Sequence, residues 1–362
     1  MSTRNALRPS EAIAIRVVIP ARDEAQTIEH ALESLNNQVD LDGNPLRPGI
    51  FDVTVLANNC DDATADTARV YGERHPSLPL RVLEARFDAD EANIGTARRT
   101  LIDDACARFE AEGRDGIVAS TDADTIVAPD WIAANLREFD NGADAVGGRI
   151  VLSAEGLAGM PPDLRRIHLQ DTGYRIMLAE LGAKIDPNPC DPSPRHHQHF
   201  GASLAVRTGI YRHAGGIPRV NTLEDMAFYD ALERIDACVR HSPIVRVTTS
   251  ARRQARVPIG LSTQLEEWAV AAQAGRPVLV EPVARSLKRF QLRRELRNRW
   301  RYRRAHHELA RGARMDSFAH FGAFLAEIRF EIERYLDDTA ASEPVPLGRA
   351  ISDLRVMLAG CA

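Results

Sequence analysis

No apolar run in the 362-residue chain approaches the ~20 residues that a membrane-spanning helix needs. The opening MSTRNALRPSEA lacks the basic-then-apolar order of a secretion signal, so the expected location is cytoplasmic. Cysteine is scarce. Five residues, at 60, 106, 190, 238 and 361, form no CxxC pair. Their odd number and scatter argue against a disulfide framework or a zinc knuckle and point to five ordinary thiols. A strong charge of either sign is also missing: the net charge of −5 offers no global reason to bind nucleic acid, and none is expected as a partner. No internal repeat or low-complexity tract appears. What remains is a globular composition, 44% hydrophobic and 27% charged, long enough for one large domain or two smaller ones.

The first 150 residues alternate between short β-branched apolar runs and longer stretches with apolar residues three or four apart. Strands are expected at 13–19, 51–57, 80–84, 116–120 and 143–152, and helices at 25–35, 63–75, 95–109 and 129–139. Strand then helix, repeated, means a mostly parallel sheet flanked by helices, an α/β class of Rossmann-like type. The rhythm breaks over 154–199, a segment with six prolines and one helical stretch, 163–181. Alternation returns with FGASLAV (200–206), a helix opening near Leu223, and two strand runs, ACVRH and IVRVTTS, within 237–250. Helical patterns then fill 261–274, 286–311, 318–336 and 347–358. The boundary expected near Arg256 divides a catalytic domain, 13–256, from a helical C-terminal region, 257–362.

In such a sheet ligands sit beyond the carboxyl ends of the strands. The run GIVAS ends there in two aspartates, Asp122 and Asp124, with Ala123 between them. Two carboxylates so close repel one another unless a cation stands between them. Oxygen ligands of this kind suit Mg²⁺ or Mn²⁺ completed by phosphate oxygens and water. Aspartates also commonly end a strand and cap the next helix, so the pair by itself decides nothing.

The surrounding motifs decide more. VVIPARDEA places Pro20, Asp23 and Glu24 after the first strand; LANNCDDATADTA places Asn58, Asn59 and Asp62 after the second; Thr121-Asp122-Ala123-Asp124 follows the fourth. Together they resemble the family 2 glycosyltransferases of the GT-A fold. DEANIGTARRTLID resembles that family's Gly-x-x-x-Arg segment, with Gly95 opening a helix and Arg98 or Arg99 reaching the donor. TLEDMAFYDAL resembles its Glu-Asp helix start and VTTSARRQ its Ser-x-Arg, with Arg252 and Arg253. The matches span roughly 13–254.

The resemblance implies an inverting enzyme with a nucleoside diphosphate sugar as donor, an unknown hydroxyl acceptor, and Mn²⁺ or Mg²⁺ on Asp122 and Asp124. Pro20, Asp23, Glu24, Asn58, Asn59, Asp62, Gly95, Arg98, Asp122, Arg252 and Arg253 would line the donor site. Asn58 and Asn59 stand where many members carry a base-reading aspartate, which leaves the base open. Asp225 would be the catalytic base, with Glu224 as the alternative. A retaining transferase and a non-catalytic sugar-nucleotide-binding protein are the competing functions. A nucleotidyltransferase is disfavoured because AIRVVIPARDEAQ carries no glycine for a triphosphate loop.

Two further stretches stand out. His196, His197 and His199 crowd PRHHQHFG, where no fourth ligand lies at metal-site spacing, and a proline-stiffened lid over the acceptor is the favoured reading. Residues 285–304 hold ten basic residues and one acidic, interleaved with apolar ones at near-helical spacing. A solvated helix packed on its neighbours and a peripheral contact with an anionic membrane both fit this pattern, and the location could then be membrane-associated.

Overall fold

The computed structural model describes residues 13–250, 260–305 and 315–360. In chain order the first elements are β1 (Ile15–Ala21), α1 (Ile28–Asn36), β2 (Phe51–Asn58), α2 (Thr64–Arg74), β3 (Leu80–Ala85), α3 (Ile94–Ala111), β4 (Ile117–Ser120), β5 (Thr125–Val127), α4 (Trp131–Asp140) and β6 (Ala145–Leu152). Then follow α5 (Ala154–Ala158), α6 (Pro162–Ile185), β7 (Leu204–Arg207), α7 (Thr208–His213), α8 (Glu224–Arg234) and β8 (Val239–Thr249). The remainder is α9 (Leu261–Gln273), β9 (Leu279–Val280), α10 (Val283–Ala305), α11 (Phe321–Glu327), α12 (Arg329–Thr339), β10 (Val345–Pro346) and α13 (Leu347–Gly360).

These elements form two compact units. The first comprises 1–154, 198–232 and 238–250, and holds an eight-stranded sheet in the order β3-β2-β1-β4-β7-β6-β8-β5. Strands β3, β2, β1 and β4 run parallel, as the alternation of strand and helix requires. Both β1 and β2 are buried along their whole length, which is why each centres on an apolar run, VVI and VLA, while Arg16 and Asp52 are buried facing one another as an ion pair. Strand β7 runs antiparallel between β4 and β6. The core gathers Val17, Ile19, Val53, Val55, Ile117 and Ala119 from the sheet against Ile28, Leu32, Leu35, Trp131 and Phe139 from the helices.

Two expectations are modified here. FGASLAV is a strand only in its second half: Gly201–Ser203 form a 3₁₀ turn before β7. The cause is local packing, since the 198–203 stretch lies directly on β6 at Gly147 and Gly148. A Cβ at Gly147 would stand 2.5 Å from the Gln198 carbonyl oxygen, and one at Gly148 would stand 3.0 Å from Ser203 Cβ and nearer still to its Oγ. The two runs ACVRH and IVRVTTS are a single strand, β8, whose register against β6 jumps between Gly148 and Arg149. Pro243 falls inside that jump, where a residue without an N–H breaks no ladder hydrogen bond.

The second unit comprises 155–197, 233–237 and 251–362. It is mainly helical, with a short antiparallel pair, β9 and β10. Tyr174 and Leu181 of α6 pack with Val283 of α10 and with Leu347, Ala350 and Leu354 of α13. The pattern over 318–336 resolves into two helices, broken at Ile328 (φ −94°, ψ 14°). Asp236 fixes where α11 begins, because its two carboxylate oxygens accept from the N–H groups of Phe321 and Gly322, each at 2.8 Å.

The basic stretch falls on α10, and its arginines at four-residue spacing are answered by carboxylates of the same unit. Arg285 pairs with Glu333 (2.9 Å) and Asp337 (2.8 Å), Arg289 with Glu281 (2.7 Å), Arg293 with Glu233 (2.9 Å) and Arg297 with Asp186 (2.8 Å). Trp300 of the same helix packs on Phe321 and Phe324. Among the described residues no helix is long and apolar enough to cross a membrane.

The expectation of five ordinary thiols is corrected. Cys60 and Cys106 are free, but Cys190 is not a free thiol and neither is Cys238, each being in a disulfide. Sequence spacing detects short-range motifs such as CxxC and does not register bonds made through the tertiary fold.

Candidate functional site

Because β1, β2 and β4 are parallel neighbours, their carboxyl ends deliver three loops to one edge of the sheet. The first two are knitted together. Asp23, held at φ 52°, accepts from the Asp61 N–H at 2.8 Å, and the Asp62 carboxylate accepts from the N–H groups of Ala25 (3.0 Å) and Thr64 (2.9 Å). The Glu24 N–H donates to Thr64 Oγ1 at 2.8 Å, while its carboxylate accepts from Thr27 Oγ1 at 2.6 Å. Glu24 is buried, so both it and Asp62 serve the loop structure directly. Pro20 is the penultimate residue of β1.

Asn58 is buried at the end of β2. The Asn59 side chain is taken up locally. Its Nδ2 donates to the Phe87 carbonyl at 2.9 Å, and its Oδ1 accepts from the Phe87 N–H at 3.2 Å. Of the residues offered by sequence as base readers, Asn59 thus has its donor and acceptor engaged by backbone. Asp23, Cys60 and Asp62 bring their ligand-type atoms within 4.8 Å of one another, an exposed cluster with a partly buried thiol.

The third loop carries the paired aspartates. Asp122 and Asp124 lie in the turn between β4 and β5, closed by the Thr125 N–H donating to the Asp122 carbonyl at 3.2 Å. Burial pushes the Asp122 carboxyl up to about 6, with Asp124 and Glu224 adding to the rise and Arg98 opposing it. Asp124 accepts from Ser250 Oγ at 3.4 Å. The hydroxyls of Thr121 and Thr125 on either side are buried and have no hydrogen-bond partner among the described residues. Two neighbouring carboxylates, with Asp122 raised in energy by burial and with unpartnered threonine hydroxyls on either side, match the hard-oxygen donor set of Mg²⁺ or Mn²⁺, which commonly take one or two protein carboxylates.

Arg98 joins this loop to the rest of the site. Asn93 caps α3 by accepting from the Thr96 N–H at 2.9 Å, which fixes where the helix begins. From there the buried Arg98 guanidinium uses all three nitrogens: Nε donates to Ser120 Oγ at 3.1 Å, Nη2 to Asp122 Oδ1 at 2.7 Å, and Nη1 to Glu224 Oε1 in a close ion pair. Burial disfavours its charge; Glu224, Asp122 and Asp225 together more than restore it. The resemblance implies Arg98 in the donor site; in the structure every nitrogen of its guanidinium is engaged with protein.

Glu224 and Asp225 open α8, as the sequence implies, after Leu223 at φ 56°. They are not equivalent. Glu224 is buried and committed to Arg98. Asp225 is half-buried; Oδ2 accepts from the Gly201 N–H at 3.1 Å and Oδ1 from the Met226 N–H at 2.8 Å, which orients the carboxylate without placing a cation on it. Close approach of backbone makes this possible. A Cβ at Gly95 would stand 3.0 Å from Glu224 Cβ, and one at Gly201 would stand 2.6 Å from Arg98 Nη2 and nearer still to its Cζ.

The structure therefore brings together Asp122, Arg98, Gly95, Glu224 and Asp225, and separately Asp23, Glu24, Asn59 and Asp62. Arg252 and Arg253 lie outside the described residues. Ser120, Asn93 and Gly201 were not anticipated as parts of the site; the asparagine before a Gly-x-x-x-Arg helix was a legible N-cap signal, whereas Gly201 could be found only from the fold. His199 is not part of an exposed lid. It is buried, stacked on Tyr229 (ring centroids 3.8 Å apart, 7° between planes), with Nδ1 3.1 Å from His241 Nε2.

Residues 16–201 match the family described as glycosyl transferase family 2. No curated protein matches the chain. Among solved structures it is similar to the mannosyltransferase PcManGT from Pyrobaculum calidifontis in complex with GDP-Man and Mn²⁺, at TM-score 0.48 and 16% identity over 96% of this chain and 75% of that one. It is also similar to S. aureus TarS in complex with UDP (TM-score 0.44, 12% identity, 95% and 90% covered). A third similarity is to glucosyl-3-phosphoglycerate synthase from Mycobacterium tuberculosis in complex with UDP (TM-score 0.38, 18% identity, 74% and 82% covered).

Proposed function

The chain belongs to glycosyl transferase family 2, and from that premise we propose that it is a metal-dependent, inverting glycosyltransferase that moves a sugar from a nucleoside diphosphate donor to a hydroxyl acceptor. The observation that supports this most is the buried bridge from Asp122 through Arg98 to Glu224, which ties the paired-aspartate loop to the helix start that bears Asp225. Asp122 and Asp124 would hold Mn²⁺ or Mg²⁺, which when bound offsets the charge of the diphosphate and of its departure. Asp23, Asp62 and the backbone near Asn58 would face the ribose and base, and Arg252 and Arg253 the diphosphate.

Asp225 takes the base role and Glu224 does not, because the Glu224 carboxylate is occupied by Arg98 whereas Asp225 has only neutral N–H donors. An acceptor hydroxyl that donates to Asp225 gains nucleophilicity as its proton passes to the carboxylate, while its oxygen forms the new glycosidic bond and the bond to the diphosphate oxygen breaks on the opposite face. Inversion at the anomeric carbon is the consequence. The deciding experiment incubates the protein with UDP- and GDP-sugars, Mn²⁺ and a panel of hydroxyl acceptors, and reads the anomeric configuration of the first product by NMR. Retained configuration refutes the inverting mechanism; Mn²⁺-dependent donor binding without any transfer favours a sensor.

A further inference from the structure

One guanidinium answers two carboxylates in this site. Arg98 Nη2 lies 2.7 Å from Asp122 Oδ1, and Nη1 makes the closer contact with Glu224. Arg98 and Glu224 are both buried, with side-chain exposures of 3% and 5%, whereas Asp122 is 34% exposed. The pair Arg98–Glu224 therefore sits inside, with Asp122 on its outer side. Ser120 Oγ on Nε and the close backbone at Gly201 keep the guanidinium from swinging toward either acid.

Counting formal charges, the Arg98 cation faces Asp122 and Glu224 directly and Asp225 at longer range. If Glu224 were neutral, the same fixed cation would act on Asp122 almost alone. It would then repel a divalent ion arriving at the Asp122 carboxylate and compete for its oxygens. With Glu224 charged, that repulsion is largely cancelled. In a site of reduced dielectric one unit charge a few ångströms away acts far more strongly than in water, so the cancellation is not a small correction.

From this geometry we propose that Glu224 is a positioning residue for metal binding: it sequesters the Arg98 charge, and thereby leaves Asp122 as an effective ligand for a divalent cation. Glu224 touches neither metal nor substrate in this role. The inference rests on the reading of Asp122 and Asp124 as the metal carboxylates and adds a function to the acidic residue that the sequence offered as an alternative base.

The test measures Mn²⁺ affinity directly, by calorimetry or by the electron paramagnetic resonance of free Mn²⁺, in the full chain with UDP and with GDP in parallel. Four proteins are compared: the parent, Asp122→Asn, Glu224→Gln, and Arg98→Met/Glu224→Gln. Glutamine keeps the size of Glu224 and can still accept from Nη1, so the single variant alters charge and little else. It should bind Mn²⁺ about tenfold or more weakly than the parent. The double variant removes the uncancelled cation together with its partner, so its Mn²⁺ affinity should return to the parent's value or exceed it. A merely structural Glu224 gives no such recovery, because the second substitution would only add damage.

Unchanged affinity in Glu224→Gln overturns the proposal, and that isosteric variant decides the matter even where the double variant does not fold. Weak binding in both the single and the folded double variant also overturns it and makes Glu224 a metal ligand or a general structural support. Should the parent bind no Mn²⁺ with either nucleotide, the metal-site reading and this inference fall together. When the parent binds, Asp122→Asn weakens binding and Glu224→Gln does not, this inference alone falls.

Discussion

Gly201→Ala adds one methyl group at the place where the site has least room. That Cβ would stand 2.6 Å from Arg98 Nη2 and closer to Cζ and Nη1, far inside van der Waals contact. The obstructing atoms are not the free end of a flexible side chain, because Ser120, Asp122 and Glu224 hold all three nitrogens. Either the 198–203 backbone lifts off or the guanidinium leaves its partners. Overpacking of a tight interior costs about 1–3 kcal/mol, and breaking a buried ion pair about 3–5 kcal/mol, so a loss of about 3 kcal/mol is expected, with the higher figure as a ceiling. Against a total stability of roughly 5–15 kcal/mol this is a large fraction.

The matched control is Gly95→Ala. Its nearest contact is 3.0 Å, to Glu224 Cβ, and alanine recovers up to about 1 kcal/mol of helix propensity in α3, so its net effect should stay within about 1 kcal/mol. Urea denaturation followed by tryptophan fluorescence reads both. Trp131 is a suitable reporter because its Nε1 donates to Ser203 Oγ at 3.1 Å in the same stretch. A Gly201→Ala protein within about 0.5 kcal/mol of the parent would refute the tight enclosure of Arg98 and the rigid bridge built on it.

Other outcomes can be checked independently. Asp225→Asn should preserve donor and Mn²⁺ binding while lowering turnover by roughly 10²-fold or more, measured by calorimetry beside a transfer assay; undiminished turnover excludes Asp225 as base. Asp124→Asn should weaken Mn²⁺ binding and leave the melting temperature of the metal-free protein nearly unchanged, since asparagine keeps the size of the side chain and can still accept from Ser250 Oγ, which lies 3.4 Å from the native carboxylate. Arg297→Ala removes both hydrogen bonds to the buried Asp186 carboxylate, at 2.8 and 3.1 Å, leaves it the longer 3.7 Å approach of Arg293, and should destabilise the second unit by about 2 kcal/mol in chemical denaturation. Iodoacetamide should label Cys60 well before Cys106 in mass spectrometry of the native protein, because Cys106 is buried and burial pushes its thiol up to about 12.

The order of strands and helices in the first 150 residues, the buried central strands and the carboxylates at their ends were legible along the chain. Hydrophobic period is a local property, and a strand buried on both faces has to be written as a continuous apolar run, as VVI and VLA are. Loop acids after parallel strands necessarily meet at one edge, so Asp23, Asp62 and Asp122 could be assigned to that edge without coordinates. What the tertiary structure alone decided is which of those charges pair. Arg98 and Glu224 are 126 residues apart, and their ion pair exists because the return of β7 beside β4 carries the Gly201 stretch over the guanidinium. The division of labour between Glu224 and Asp225, adjacent in sequence and chemically alike, comes from the same packing: one side chain is turned to a buried cation and the other to backbone N–H groups. Long-range pairing depends on burial and on room made by glycines at distant positions, neither of which has a period or a spacing that a chain read in one dimension can display.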